Sequence, residues 1–138
     1  MTREVTTTSE AETSQCGSEL GRELGPDSVV LLKGPLGAGK TAFVRGLAEG
    51  LGCDPAAVSS PTFTIVQEYP GPTVLQHVDL YRLAPPEVDD LGLDDLMAEA
   101  VLAVEWPERW ADAPADAVRV DIELAGDDRR RIRIYSTR

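Results

Sequence analysis

Apolar positions along this chain come in short runs, and their spacing switches between the strand and helix periods. Residues 5–8 (VTTT) are rich in β-branched side chains and predict a short strand. Ser9 and Glu12 follow as an S-x-x-E pair, the mark of a capped helix start. That helix is expected to reach Leu24, with Leu20 and Leu24 on one face, and Gly25-Pro26 stops it. Residues 28–33 (SVVLLK) form a short apolar run of the kind a buried parallel strand shows. After a glycine-rich stretch, Phe43, Val44, Leu47 and Leu51 recur at helical spacing over residues 41–51, and Gly52 caps them.

The second half reads mostly as strands. Residues 63–69 (FTIVQEY) and 73–80 (TVLQHVDL) flank Pro70-Gly71-Pro72. So short a connection predicts an antiparallel hairpin, because a parallel pair needs a crossover. Residues 87–97 predict one or two short helices broken at Gly92, and residues 100–105 (AVLAVE) predict a buried strand. Residues 118–124 (VRVDIEL) alternate well, Asp127-Asp128 marks a turn, and residues 131–135 (RIRIY) return. The sum is an α/β fold with a mixed parallel and antiparallel sheet of about seven strands flanked by helices.

Composition narrows the setting. A chain of 138 residues suits one domain with one modest core. No apolar run approaches the roughly 18 residues of a membrane span, and the first ten residues hold no apolar signal core, so a cytoplasmic protein is expected. Cys16 and Cys53 have no metal-ligand spacing and read as idle thiols. The net charge of −11 argues against a surface that grips nucleic acid unaided, since neutralising phosphates takes a basic patch.

The chemistry begins at GPLGAGKT, residues 34–41, which fits the phosphate-loop pattern G-x-x-x-x-G-K-[ST]. Strand, glycine loop and helix are the context this pattern needs, so the expected unit is a single P-loop NTPase domain. Gly34 opens the loop. Backbone N–H groups at Leu36, Gly37, Ala38 and Gly39 would face phosphate oxygens. Lys40 would reach the outer phosphates, and the Thr41 hydroxyl would ligate Mg²⁺. Such a site needs a carboxylate near the metal, usually at a strand end. Asp79 closes VLQHVD and Glu105 closes VLAVE, and either could serve. The chain contains no asparagine, so it lacks the N-K-x-D motif that reads guanine, and ATP is the expected nucleotide. Thr62, in SSPTF, is either a γ-phosphate switch residue or part of an ordinary turn before a strand.

GPLGAGKT, SPTFTIVQEY, HVDLYRL and VEWPERW, in this order and spacing, resemble the bacterial TsaE (YjeE-type) family. The resemblance runs from about Ser9 to the end of the chain. It implies a small, slow ATPase that acts with TsaD and TsaB in threonylcarbamoyladenosine modification of tRNA. Such a protein docks on the TsaB–TsaD complex and resets it, without transferring the carbamoyl group itself, and meets tRNA only through that complex. By this resemblance Lys40 and Thr41 hold the triphosphate and Mg²⁺, and Thr62 is the switch. Asp79 and Glu105 are the paired acids, with Glu105 favoured to ligate metal or orient water, and Trp106 lies close to the nucleotide. Glu10 and Arg129 are the nearest matches for residues that frame the base. Pro35 departs from a common acid, and Ala42 from a frequent second threonine. Arg82 reads either as a phosphate or partner contact or as half of a salt bridge. His77, the one histidine, shares a strand face with Asp79 and is expected to pack rather than to take part in chemistry. Arg129-Arg130-Arg131 reads as a solvated hairpin end. Two rival readings are a small-molecule kinase, for which no arginine-rich lid is evident, and a non-enzymatic ATP sensor.

Overall fold

The computed structural model describes residues 2–35, 38–58 and 65–136, and within them seven strands form one sheet. In chain order these are β1 (Thr2–Thr7), β2 (Ser28–Lys33), β3 (Val66–Tyr69), β4 (Val74–Asp79), β5 (Ala100–Glu105), β6 (Val118–Leu124) and β7 (Arg130–Tyr135). The α-helices are α1 (Glu10–Glu23), α2 (Lys40–Gly50), α3 (Pro85–Asp89) and α4 (Leu93–Leu96). Across the sheet the order is β1-β7-β6-β2-β5-β4-β3. The centre, β6-β2-β5-β4, is parallel, while the flanking pairings β4-β3, β6-β7 and β7-β1 are antiparallel. This is the mixed α/β sheet the alternating pattern predicts.

Parallel strands at the centre must be covered on both faces. The odd and even positions of β2 divide accordingly. Val30 and Leu32 join Phe43, Val44 and Leu47 of α2 and Leu20 of α1 in one core, and Val29 and Leu31 join Val88, Leu93 and Trp110 in the other. Toward β7 and β1 the second core has no member among the described residues. There Arg131 and Arg133 lie between Glu4 and Glu123 in a solvated ion-pair ladder. Both cysteines are free and buried.

Two local outcomes differ from the sequence pattern. β1 runs from Thr2 to Thr7 rather than over residues 5–8, because its partner β7 offers a full ladder as far as Tyr135. At the start of α1 the Ser9 hydroxyl accepts from the Glu12 N–H, as a capping box requires. The Glu12 carboxylate, however, returns to the N–H and hydroxyl of Thr8, where it finds two donors instead of one.

The α1–α2 contact is unusually close. Gly17 and Gly21 on α1 face Gly46 and Gly50 on α2, each pair four residues apart and therefore on one helix face. A Cβ at Gly17 would meet the Phe43 carbonyl oxygen, and one at Gly46 the Ser14 carbonyl oxygen. One at Gly21 would lie 2.6 Å from the Leu47 oxygen. The contacts pair early residues with early and late with late, so the two helices run in parallel and their N-termini meet at the same end.

Candidate functional site

That shared end forms a cavity of about 560 Å³ lined by the start of α1 (Ser9, Glu10, Thr13), the start of α2 (Gly39 to Ala42), Glu105 and the β6–β7 turn. Its size falls within the roughly 300–1,000 Å³ usual for small-molecule sites. The two helix termini differ in electrostatics. The first turn of α1 is capped by Ser9 and already carries Glu10 and Glu12. α2 has no side-chain cap and no acid in its first turn, and its N-cap is Gly39 in the left-handed region at φ 101°. A helix leaves its first four N–H groups without internal partners. At α2 these groups and the positive end of the helix dipole are left for an anion. A residue with a side chain at Gly39 would be strained.

Lys40, only 6% exposed, directs its Nζ into the site. It lies 3.6 Å from Oε1 of Glu105 and 4.8 Å from the centre of the Trp106 ring. Trp106 in turn stacks at a tilt on Tyr81, with ring centres 4.9 Å apart. The Trp106 backbone is left-handed (φ 61°), uncommon for a bulky residue and of a kind that clusters at functional sites. A second cavity of about 420 Å³ opens on the other side of Lys40, between Trp106, Gly34, Pro35 and β6. The first is the better seat for an anion, because the free end of α2 and Thr41 line it.

Glu105 and Asp79 are register partners on β5 and β4 and so share a sheet face. Burial alone would raise the Glu105 carboxyl. The hydrogen bond from His77, and the charges of His77 and Lys40, outweigh it and hold the group below the ordinary carboxylate range. Asp79 goes the other way. Burial raises it, the Tyr81 N–H bonded to Oδ1 offsets part of that, and the Glu105 charge raises it further. Two adjacent acids thus have their affinities for protons pushed apart, the pattern in which one carboxylate stays ionised while its neighbour holds a proton more readily.

The structure therefore brings together Gly39, Lys40, Thr41, Glu105 and Glu10 on one cavity, with Asp79 beside Glu105 and Trp106 against Lys40. Gly34 sits where the loop crosses β6, with Ala38 donating to the Pro35 carbonyl behind it. Arg129 does not line the cavity; Asp128 and Arg130, on either side of it, do. Arg129 closes the β6–β7 turn by backbone bonds to Gly126 and Ala125, so its neighbours face inward. Leu36, Gly37 and Thr62 lie outside the described residues. Arg82 is exposed and makes no salt bridge among the described residues. His77 is fully buried as expected, but it also hydrogen-bonds Glu105, which the expectation of a pure packing role did not include. The sequence showed only that His77, two residues before Asp79, shares its strand face; the register of β4 on β5 brings that face to Glu105.

No group of three or more His, Cys, Asp or Glu side chains among the described residues makes a metal cage. A Mg²⁺ brought in on phosphates would need only one or two protein ligands. Thr41 with Glu105 or Asp79 would supply them. Among the described residues no helix is long and apolar enough to cross a membrane.

A central strand, an uncapped helix start, a buried lysine and Glu105 on one cavity, with Asp79 beside Glu105, define an α/β protein with one helix end left open to a ligand. A family model described as "Threonylcarbamoyl adenosine biosynthesis protein TsaE" matches residues 7–132. The tRNA threonylcarbamoyladenosine biosynthesis protein TsaE of Aquifex aeolicus is 42% identical over 135 residues, which cover 96% of each chain. Its namesake from Bacillus subtilis is 46% identical over 110 residues, 78% of this chain and 68% of that one. The crystal structure of Bacillus subtilis YdiB aligns with a TM-score of 0.82 at 33% identity, covering all of this chain and 87% of the other. The chain belongs to the TsaE family.

Proposed function

We propose that this protein is a slow P-loop ATPase in the threonylcarbamoyladenosine modification of tRNA, acting by ATP-dependent association with a TsaB–TsaD complex and resetting it. The single observation that carries the ATP reading is the free N-terminus of α2, which opens with Lys40 and Thr41 on one cavity with Glu105. The tRNA-modification role rests on membership of the family and on relatives that cover nearly the whole chain. The N–H groups of the loop and Lys40 hold the triphosphate, and Glu10 with the β6–β7 turn frames the base. Thr41 and one carboxylate hold Mg²⁺, which when bound neutralises charge on the phosphoryl oxygens. Glu105, kept ionised, orients the attacking water.

The test is a pull-down with the cognate TsaB–TsaD pair, with and without ATP. The wild-type protein should be retained, and ATP should change how much is held. Lys40→Ala should lose the ATP response together with ATP binding by calorimetry. No association in either state would sink the partner reading, and ATP binding unaffected by Lys40→Ala would sink the site.

A further inference from the structure

We infer that His77 is a positioning residue that divides the two oxygens of Glu105 between structure and chemistry. Its Nε2–H donates to Oε2 of Glu105 at 2.6 Å, and the other oxygen, Oε1, is the one that faces Lys40 at the cavity. A carboxylate only accepts hydrogen bonds, so the proton of this pair belongs to the ring nitrogen. The imidazole is fully buried on β4, with Tyr69 tilted 6.3 Å away, and cannot follow Glu105 if that side chain rotates. Its Nδ1 has no partner among the described residues. Burying a polar ring costs free energy, and the bond to Glu105 offsets part of that cost. A histidine that leaves one nitrogen unsatisfied is accounted for by what its other nitrogen holds. With Oε2 fixed, Glu105 meets water or metal through Oε1 alone, and its plane is set before any ligand arrives, as preorganisation requires.

This role rests on the ATPase reading. The test compares steady-state ATP hydrolysis by the wild type, Lys40→Ala, His77→Leu and His77→Gln, with melting temperatures alongside. His77→Leu removes the donor, and His77→Gln restores an N–H near the position of Nε2. Loss of a residue that orients a functional ligand typically costs about 10- to 100-fold. The expected result is a kcat loss of that size in His77→Leu with KM within about threefold, and a return to within about threefold of wild type in His77→Gln. Hydrolysis that depends on Lys40 but is equal in the wild type and His77→Leu overturns this inference alone. The same holds if His77→Gln falls as far as His77→Leu. No Lys40-dependent hydrolysis by the wild type overturns both the inference and the ATPase reading. If His77→Leu does not fold, the ring itself reports, because the chain has a single histidine. In ¹⁵N-histidine protein its Nε2 proton should be protected from exchange and should shift in Glu105→Gln. An unprotected or unshifted proton overturns the inference.

Discussion

Glu105 shows how one residue balances opposed forces. Burial disfavours its charge, and His77 and Lys40 favour it more. Because its folded pKa lies below the unfolded value of about 4.3, the ionised carboxylate adds stability that is complete above that value. That stability is lost as pH falls through the lower folded pKa. Asp79 is shifted upward, so its contribution is present below its unfolded value of about 3.9 and lost as pH rises through the folded one. Replacing Glu105 by Gln separates the two. The variant is expected to keep ATP binding and to lose hydrolysis by roughly 100-fold. Its denaturation midpoint should also fall less steeply than that of the wild type as pH drops below about 4.3. Equal slopes in chemical denaturation at pH 3 to 5, or normal turnover, would contradict the role given to this carboxylate.

Among the elements, the α1–α2 pair decides where the cavity wall stands. Glycine inside a helix ordinarily costs about 1 kcal/mol against alanine. At Gly46 the balance reverses, because an added methyl would meet the backbone oxygen of Ser14, which cannot move without the whole of α1. Overpacking of this kind costs about 1–3 kcal/mol. With the cost at the upper end of that range, about 3 kcal/mol, and the helix gain of about 1 subtracted, Gly46→Ala should lose about 2 kcal/mol net, or roughly 6–8 °C of melting temperature. Gly25→Ala, with nothing within 4 Å of its added carbon, should stay within about 0.5 kcal/mol. A neutral Gly46→Ala in thermal denaturation would count against the close seam. Strands with alternating burial were legible in the sequence, as at Val118, Val120 and Ile122. β1 was less so, because an edge strand with one buried residue carries almost no pattern. The glycine pairs were hidden for a different reason. Each reads as a helix weakness until the facing helix is known.

For the molecule as a whole, charge is the leading constraint. At a net −11 the chain repels polyanions, and Arg131 and Arg133 of β7 are paired with Glu4 and Glu123 rather than presented as a patch. The protein alone should show weak tRNA binding in a gel shift at physiological salt, and a tight complex without partners would refute this. The candidate site was partly legible at this scale. Lys40, Thr41, Asp79 and Glu105 stood out as a loop and two strand ends. The His77–Glu105 contact did not, since the two lie 28 residues apart and meet only through the register of β4 on β5. Arg129 against Asp128 and Arg130 is a matter of one step in a hairpin, and one step turns a side chain to the opposite face.

The glycine seam also bears on how such a chain can change over generations. Any substitution at position 17, 21, 46 or 50 that adds a side chain pries α1 from α2. Prying them apart shifts Ser9, Glu10 and Thr13 away from Gly39, Lys40 and Thr41. Drift in the body of either helix is thus felt at the ligand, so wall and floor of the cavity can evolve only as one piece.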